Sequence, residues 1–316
     1  MMKQATTLLV ALILGLVVCC HKGPTKPDNR PWYMLFDQAA TWSPDGKQIA
    51  YASGGNSTQT VPGGLYIVDL ATRHRRFILP GYGHLYDPHW SPNGKWIAIS
   101  LFVNIYKVTP QGDSLVQLTH GEWESSPRWS PDGQHIVFHR DLGVNGGVWM
   151  IDPDGAAETK VRKWALYPDW FSNGEELAVY AYDSLLKSSR IARYTLADSV
   201  LHFLAPPQEA VGENSLRVSL DGKYVLFGAQ EQTNPPRLSL FTVEVKTGRV
   251  RRLLAGAAYG AWSPDGRYLA YTNCYDGAIY VWDLAADTTA QVSPGIMVFD
   301  PDWDSTGFPK VNVGSR

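Results

Sequence analysis

The sequence predicts an all-β chain folded as a single β-propeller of four-stranded antiparallel blades, and three observations predict it. A five-residue turn motif returns at a near-constant interval along the chain. Each copy is followed by the same succession of short apolar runs. No long amphipathic helical pattern occurs beyond the first residues.

The motif is Trp42-Ser43-Pro44-Asp45-Gly46. It returns at Trp90 (with Asn93 for Asp), Trp129 and Trp262, in weaker form at Trp170 and Val218, and in decayed form at Trp303. The intervals are 48, 39, 41, 48, 44 and 41 residues. Pro sets an early turn position, Asp or Asn tolerates a left-handed conformation, and Gly supplies a positive φ. Apolar β-formers flank the turn, so each copy predicts a hairpin. The large apolar Trp is expected to wedge between neighbouring sheets. The motif residues are thus assigned to the fold and not to a ligand.

In the first repeat the apolar runs are the strand entering Trp42, then 49–52, 65–70 and 76–79. The third run recurs as Val148-Trp149-Met150-Ile151-Asp152 and Ile279-Tyr280-Val281-Trp282-Asp283. Four strands in about 43 residues make one propeller blade. Six full units fill about 38–298. The apolar segment 32–36 and the remnant after Trp303 are left over at the two ends. A propeller that joins its termini would use both in a reduced seventh blade, because an unpaired edge is a liability. Seven blades are therefore the expectation, with six as the alternative.

Residues 1–20 are predicted to be a leader: Lys3, then a 14-residue apolar run from Ala5 to Val18, too short to span a membrane, ending at Cys19-Cys20. Residues 21–30 form a polar tether, and 31–316 form the propeller domain. The cysteine pair resembles the lipobox of bacterial lipoproteins, which implies acylation at Cys20 or Cys19 and a periplasmic or cell-surface location on a lipid anchor. An ordinary cleaved signal peptide, and a secreted protein, is the alternative. The third cysteine, Cys274, is expected in a loop or the core.

The repeat resembles that of the TolB-like β-propellers, shared with the propeller domains of prolyl oligopeptidase-type peptidases. The resemblance covers roughly 38–310 and concerns the fold, which hosts many activities. Such a peptidase also needs a hydrolase domain with a G-x-S-x-G elbow, and the chain has none. The expectation is a non-catalytic protein-binding scaffold of the cell envelope. A carbohydrate or peptide ligand at the channel mouth is the alternative, and a hydrolase or lyase on the propeller face has no residues to support it. The formal net charge of −2 gives no nucleic-acid footprint. The Asp300–Asp304 segment lacks the Gly and Glu of a calcium loop, and the eight His show no metal spacing, so no metal or cofactor is expected. The chain is expected to be a monomer.

The segments leading into each motif Trp are rich in aromatics and charges. They should ring one mouth of the channel. Tyr86, His89, Trp123, Arg128, Trp164, Asp169, Arg217, Tyr259 and Asp302 are the candidate binding residues, since Trp, Tyr and Arg dominate binding hot spots. The long loops at 53–63 and 228–237 lie on the face opposite the motif turns and form the fallback site.

Overall fold

The motif turn is built by its serine and aspartate together. Ser43 Oγ donates to Asp45 Oδ1 at 2.6 Å, and the Lys47 amide donates to the same oxygen. The Gln48 amide donates back to Ser43 Oγ at 2.9 Å. Gly46 alone takes the positive φ, +70°. The Asp therefore serves through its side chain, not through a left-handed backbone. Asn93 and Asn173 replace it because an amide oxygen accepts the same bonds, from Lys95 and Glu175.

The computed structural model describes residues 37–55, 62–81, 84–121, 123–141, 146–205, 216–231, 233 and 237–295. Over these, twenty-four strands, β1 to β24 in chain order, form six four-stranded antiparallel sheets. Each sheet is a meander of consecutive strands. In the first, β1 (Asp37–Trp42), β2 (Gln48–Ser53), β3 (Gly64–Asp69) and β4 (Arg75–Pro80) follow one another outward. The first strand of every sheet lies innermost: β1, β5 (Leu85–Trp90), β9 (Glu124–Trp129), β13 (Ala165–Trp170), β17 (Arg217–Val218) and β21 (Ala257–Trp262). These six pack against one another in cyclic order and line the channel.

The ring closes on six blades, and the seven-blade expectation is corrected. β1 packs directly on β21 and the two strands after it, which leaves no gap for another sheet. Trp42 Nε1 donates to Ala261 O at 3.1 Å, and the Asp37 amide donates to Gly277 O at 2.9 Å. One apolar cluster joins Trp42, Ile49 and Tyr51 of the first blade to Ala261, Ala270 and Ile279 of the sixth. The segments expected to form a seventh blade, 32–36 and 303–313, lie outside the described residues.

Five such apolar clusters besides this one fill the spaces between or within neighbouring blades. The motif tryptophans are the wedges. Trp170 Nε1 reaches Arg128 O in the preceding blade at 3.2 Å, the same relation as Trp42 to Ala261. Cys274 is buried. No helix among the described residues is long and apolar enough to cross a membrane.

Candidate functional site: the channel and its junction face

Every fully described inner strand carries a β-bulge, and the bulge decides which side chains reach the channel. In β5, Tyr86 pairs with Ser100 and His89 with Ala98, so two residues, Asp87 and Pro88, stand opposite one, Ile99. The same shift occurs in β1, β9, β13 and β21. Its first residue has a positive φ without being glycine: Ala39, Asp87, Ser126, Tyr167 and Tyr259, all between 51° and 55°. In three strands a proline follows, Pro88, Pro127 and Pro168, which cannot donate to the ladder. The bulge aims both its first residue and the residue before the motif Trp away from the sheet.

The residues before the Trp meet across blades. His89 Nδ1 accepts the Trp129 amide at 3.1 Å. Asp169 Oδ2 accepts the Val218 amide at 2.7 Å. Ser126 Oγ donates to Asp87 Oδ2 at 3.0 Å. Arg128, 1% exposed, places Nε 3.9 Å from Asp169 Oδ1 and donates through Nη1 to Pro127 O. Arg217 donates through Nη1 to Leu216 O at 2.8 Å. Four consecutive blades thus contribute to one polar cluster, in which Arg128, Asp169 and Arg217 are buried and Asp87 and His89 are half-buried.

Burial governs its electrostatics. His89 is held well below the ordinary histidine value by burial and by the charges of Arg128 and Arg217, and with Nδ1 accepting a backbone bond it is neutral. Burial and the neighbouring Arg128 push Arg217 down to about 9. Burial raises Asp169 against the opposing pull of Arg217 and Arg128. A fully buried histidine lies beside the cluster: His139 Nε2 is 2.9 Å from Ser125 Oγ, and its ring meets that of Tyr167 edge-on.

The junction face is different in kind. At equivalent places just before an inner strand, His84, Trp123, Trp164 and Gly256 each offer a carbonyl to an amide at the end of the second strand or just after it: Phe102, Asp141, Tyr182 and Cys274, at 2.8–2.9 Å. These junctions and the loops after the second strands share one face. On it Phe102, Trp123, Trp164, Tyr182, Leu185 and Tyr275 expose large apolar surface, with Trp123 at 60% and Trp164 at 68%. The opposite face consists of the motif turns and the outer hairpin turns, largely capped by Asp, Asn and Ser.

The nine candidate residues therefore do not form one ring, which corrects the expectation. Trp123 and Trp164 are exposed on the junction face. His89, Arg128, Asp169 and Arg217 sit deeper, toward the motif turns, in the channel wall. Tyr86 and Tyr259 are half-buried between the two levels. Asp302 lies outside the described residues, as do Cys19 and Cys20. Sequence reasoning missed Asp87, Ser126 and His139. The repeated Pro two residues before Trp90, Trp129 and Trp170 is the signal that marks the bulge and, through it, Asp87 and Ser126. Among the described residues no cluster of three or more His, Cys, Asp or Glu side chains is placed to hold a metal ion.

These features define a six-bladed propeller with a polar channel and an apolar junction face. The profile of the TolB beta propeller domain matches residues 38–260, and the chain belongs to that family. A WD domain, G-beta repeat profile matches 250–283. The uncharacterized protein Atu1656 of Agrobacterium fabrum is 29% identical over 164 residues, 45% of this chain and 53% of that protein. The uncharacterized peptidase YuxL of Bacillus subtilis is 28% identical over 204 residues, 59% of this chain and 29% of that protein. The chain thus spans about a third to a half of the curated relatives it matches. The solved structure of a putative TolB from Agrobacterium tumefaciens superposes with a TM-score of 0.59 at 22% identity, covering 72% of this chain and 86% of that one, a likeness of fold.

Proposed function

We propose that the protein is a non-catalytic binding scaffold that captures a protein partner on its junction face. The observation that carries this reading is Trp164. It is the only residue between β12 (Thr159–Lys163) and β13, it adopts φ 57°, and its side chain is 68% exposed. The equivalent junction before β21 is Gly256, at φ 68°. A left-handed conformation costs a non-glycine residue about 1–2 kcal/mol, and an exposed indole returns little of it through folding. Trp123 repeats the pattern at φ 58°. Two strained, exposed tryptophans on one face, with Phe102, Leu185 and Tyr275 beside or beyond them, have the composition of an interface core.

The leader, with Cys20 or Cys19 acylated, would hold this face near an envelope membrane, where the partner is an envelope protein. Membership of the TolB propeller family supports that setting. The test is capture of partners from envelope extract by the full chain, compared with Trp123→Ala, Trp164→Gly and the motif-face control Leu220→Ala. Loss in the two tryptophan variants alone supports the reading. A partner retained by both tryptophan variants overturns it.

A further inference from the structure

We propose that the channel holds an anion site, in which Arg128 and Arg217 bind a carboxylate presented by the partner. This rests on the junction-face reading for its source of ligand. The site itself rests on a count of donors and acceptors. Two guanidinium groups bring ten N–H donors into the cluster. Among the described residues, Arg128 and Arg217 each donate through Nη1 to the carbonyl just before them, and Arg128 Nε has no hydrogen-bond partner although the side chain is 1% exposed.

The nearby carboxylates are already engaged. Asp169 Oδ2 accepts the Val218 amide, and its Oδ1 stays 3.9 Å from Arg128 Nε, beyond hydrogen-bond reach. Asp87 Oδ2 accepts the Ser126 hydroxyl. His89 is neutral and presents its Nδ1 to a backbone amide. Arg128 also repels the charge on Arg217. An added carboxylate would supply two acceptor oxygens in the fork geometry a guanidinium matches, and would relieve that repulsion. Tyr259, Tyr167 and Ser126, at the bulges, lie between the arginine level and the junction face. Four residues at about 3.3 Å each give a depth of roughly 13 Å, which the extended terminus of a docked partner spans.

The first probe is glutarate, titrated into the full chain while the arginine Nε–H signals are followed by NMR. Binding should shift the Arg128 signal. Arg217→Gln and Arg128→Gln should each weaken binding roughly tenfold, the scale of a lost charge-assisted pair. Asp169→Asn should tighten it, because a competing charge is removed. Arg128→Lys, which keeps the charge and loses the fork, serves if Arg128→Gln fails to fold. The second probe is penta-alanine with a free C-terminus against its C-terminal amide; binding of the acid alone identifies a chain terminus as the source, binding of neither while glutarate still binds points to an acidic side chain, and equal binding of both overturns the carboxylate assignment. Unshifted arginine signals in both the wild type and Asp169→Asn, or glutarate binding that survives both arginine-to-glutamine changes, overturn the proposal. Trp164→Gly should leave glutarate binding intact, so failure of the junction-face reading and failure of the anion site are read separately.

Discussion

Trp164 and Gly256 occupy the same place in two blades. Each stands immediately before an inner strand at a left-handed φ, and each carbonyl accepts an amide at 2.9 Å, from Tyr182 and Cys274. Only the glycine adopts that backbone without strain. Trp164→Gly should therefore leave stability unchanged or raise it by up to about 1 kcal/mol, the strain relieved less the entropy a glycine loses on folding. The same change should weaken partner binding by about 2 kcal/mol or more. Chemical denaturation and a binding titration check the pair of outcomes. A marked loss of stability would show the indole to be core.

The motif turn makes a second prediction. Ser130 is buried, donates to Asp132 Oδ1 at 2.6 Å and accepts the His135 amide at 2.9 Å. Ser130→Ala removes both bonds and should destabilise by about 1–3 kcal/mol. Asp132→Asn should change stability by less than about 0.5 kcal/mol, since Asn93 already fills that role in the second blade. A large effect of Asp132→Asn, measured by thermal unfolding, would contradict the side-chain account of the turn.

The hairpins and blades were legible because each depends on residues close in sequence: a Ser-Pro-Asp-Gly turn and the alternating runs beside it. Blade number was not. It is decided by Trp42 meeting Ala261, a contact 219 residues apart that no local pattern announces. The candidate site was half legible. Counting from the motif Trp located Arg128, Asp169 and Arg217 as a set, but strict alternation could not say that Trp123 is on the surface and Arg128 in the wall. The bulge at Ser126-Pro127 breaks the period of two between them.

Among the described residues the ring closes without a strand shared between the two ends, so the contacts of the first and sixth blades hold it shut. Trp42 is buried there, with its ring 6.2 Å from that of Tyr268. Trp42→Ala should cost about 3–5 kcal/mol, as should Trp129→Ala between the second and third blades. They should differ in where the ring opens. Hydrogen exchange should rise first at Asp37 in Trp42→Ala, since the Asp37 amide donates to Gly277 O and its carbonyl accepts the Thr272 hydroxyl across the junction. Equal protection there in both variants would mean that the junction is no weaker than any other.

Two histidines of the channel wall, His89 and His139, make the fold sensitive to acid. Burial, with Arg128 and Arg217 nearby, holds His89 well below 6.5. Burial also lowers His139, assisted by Arg128 and opposed by Asp141 and Asp87. A depressed folded value means that the unfolded chain takes up the proton first. Each histidine therefore contributes stability that is present above pH 6.5 and is lost as the pH falls from there through its folded value. The loss per histidine reaches about 1.4 kcal/mol per pH unit once the unfolded form is protonated. Asp169 has the opposite sign: its value is raised, so its contribution favours the fold at acid pH and offsets part of the loss only as the carboxylate range is approached. Unfolding free energy should thus decline between pH 6.5 and about 5. His89→Gln, whose amide oxygen can accept the Trp129 amide in place of Nδ1, should flatten the decline, and His139→Gln should do the same beside Ser125. The check is denaturant unfolding of the wild type and both variants across that window; wild-type stability independent of pH there, or a slope that survives both substitutions, would show that neither histidine is held neutral by the fold.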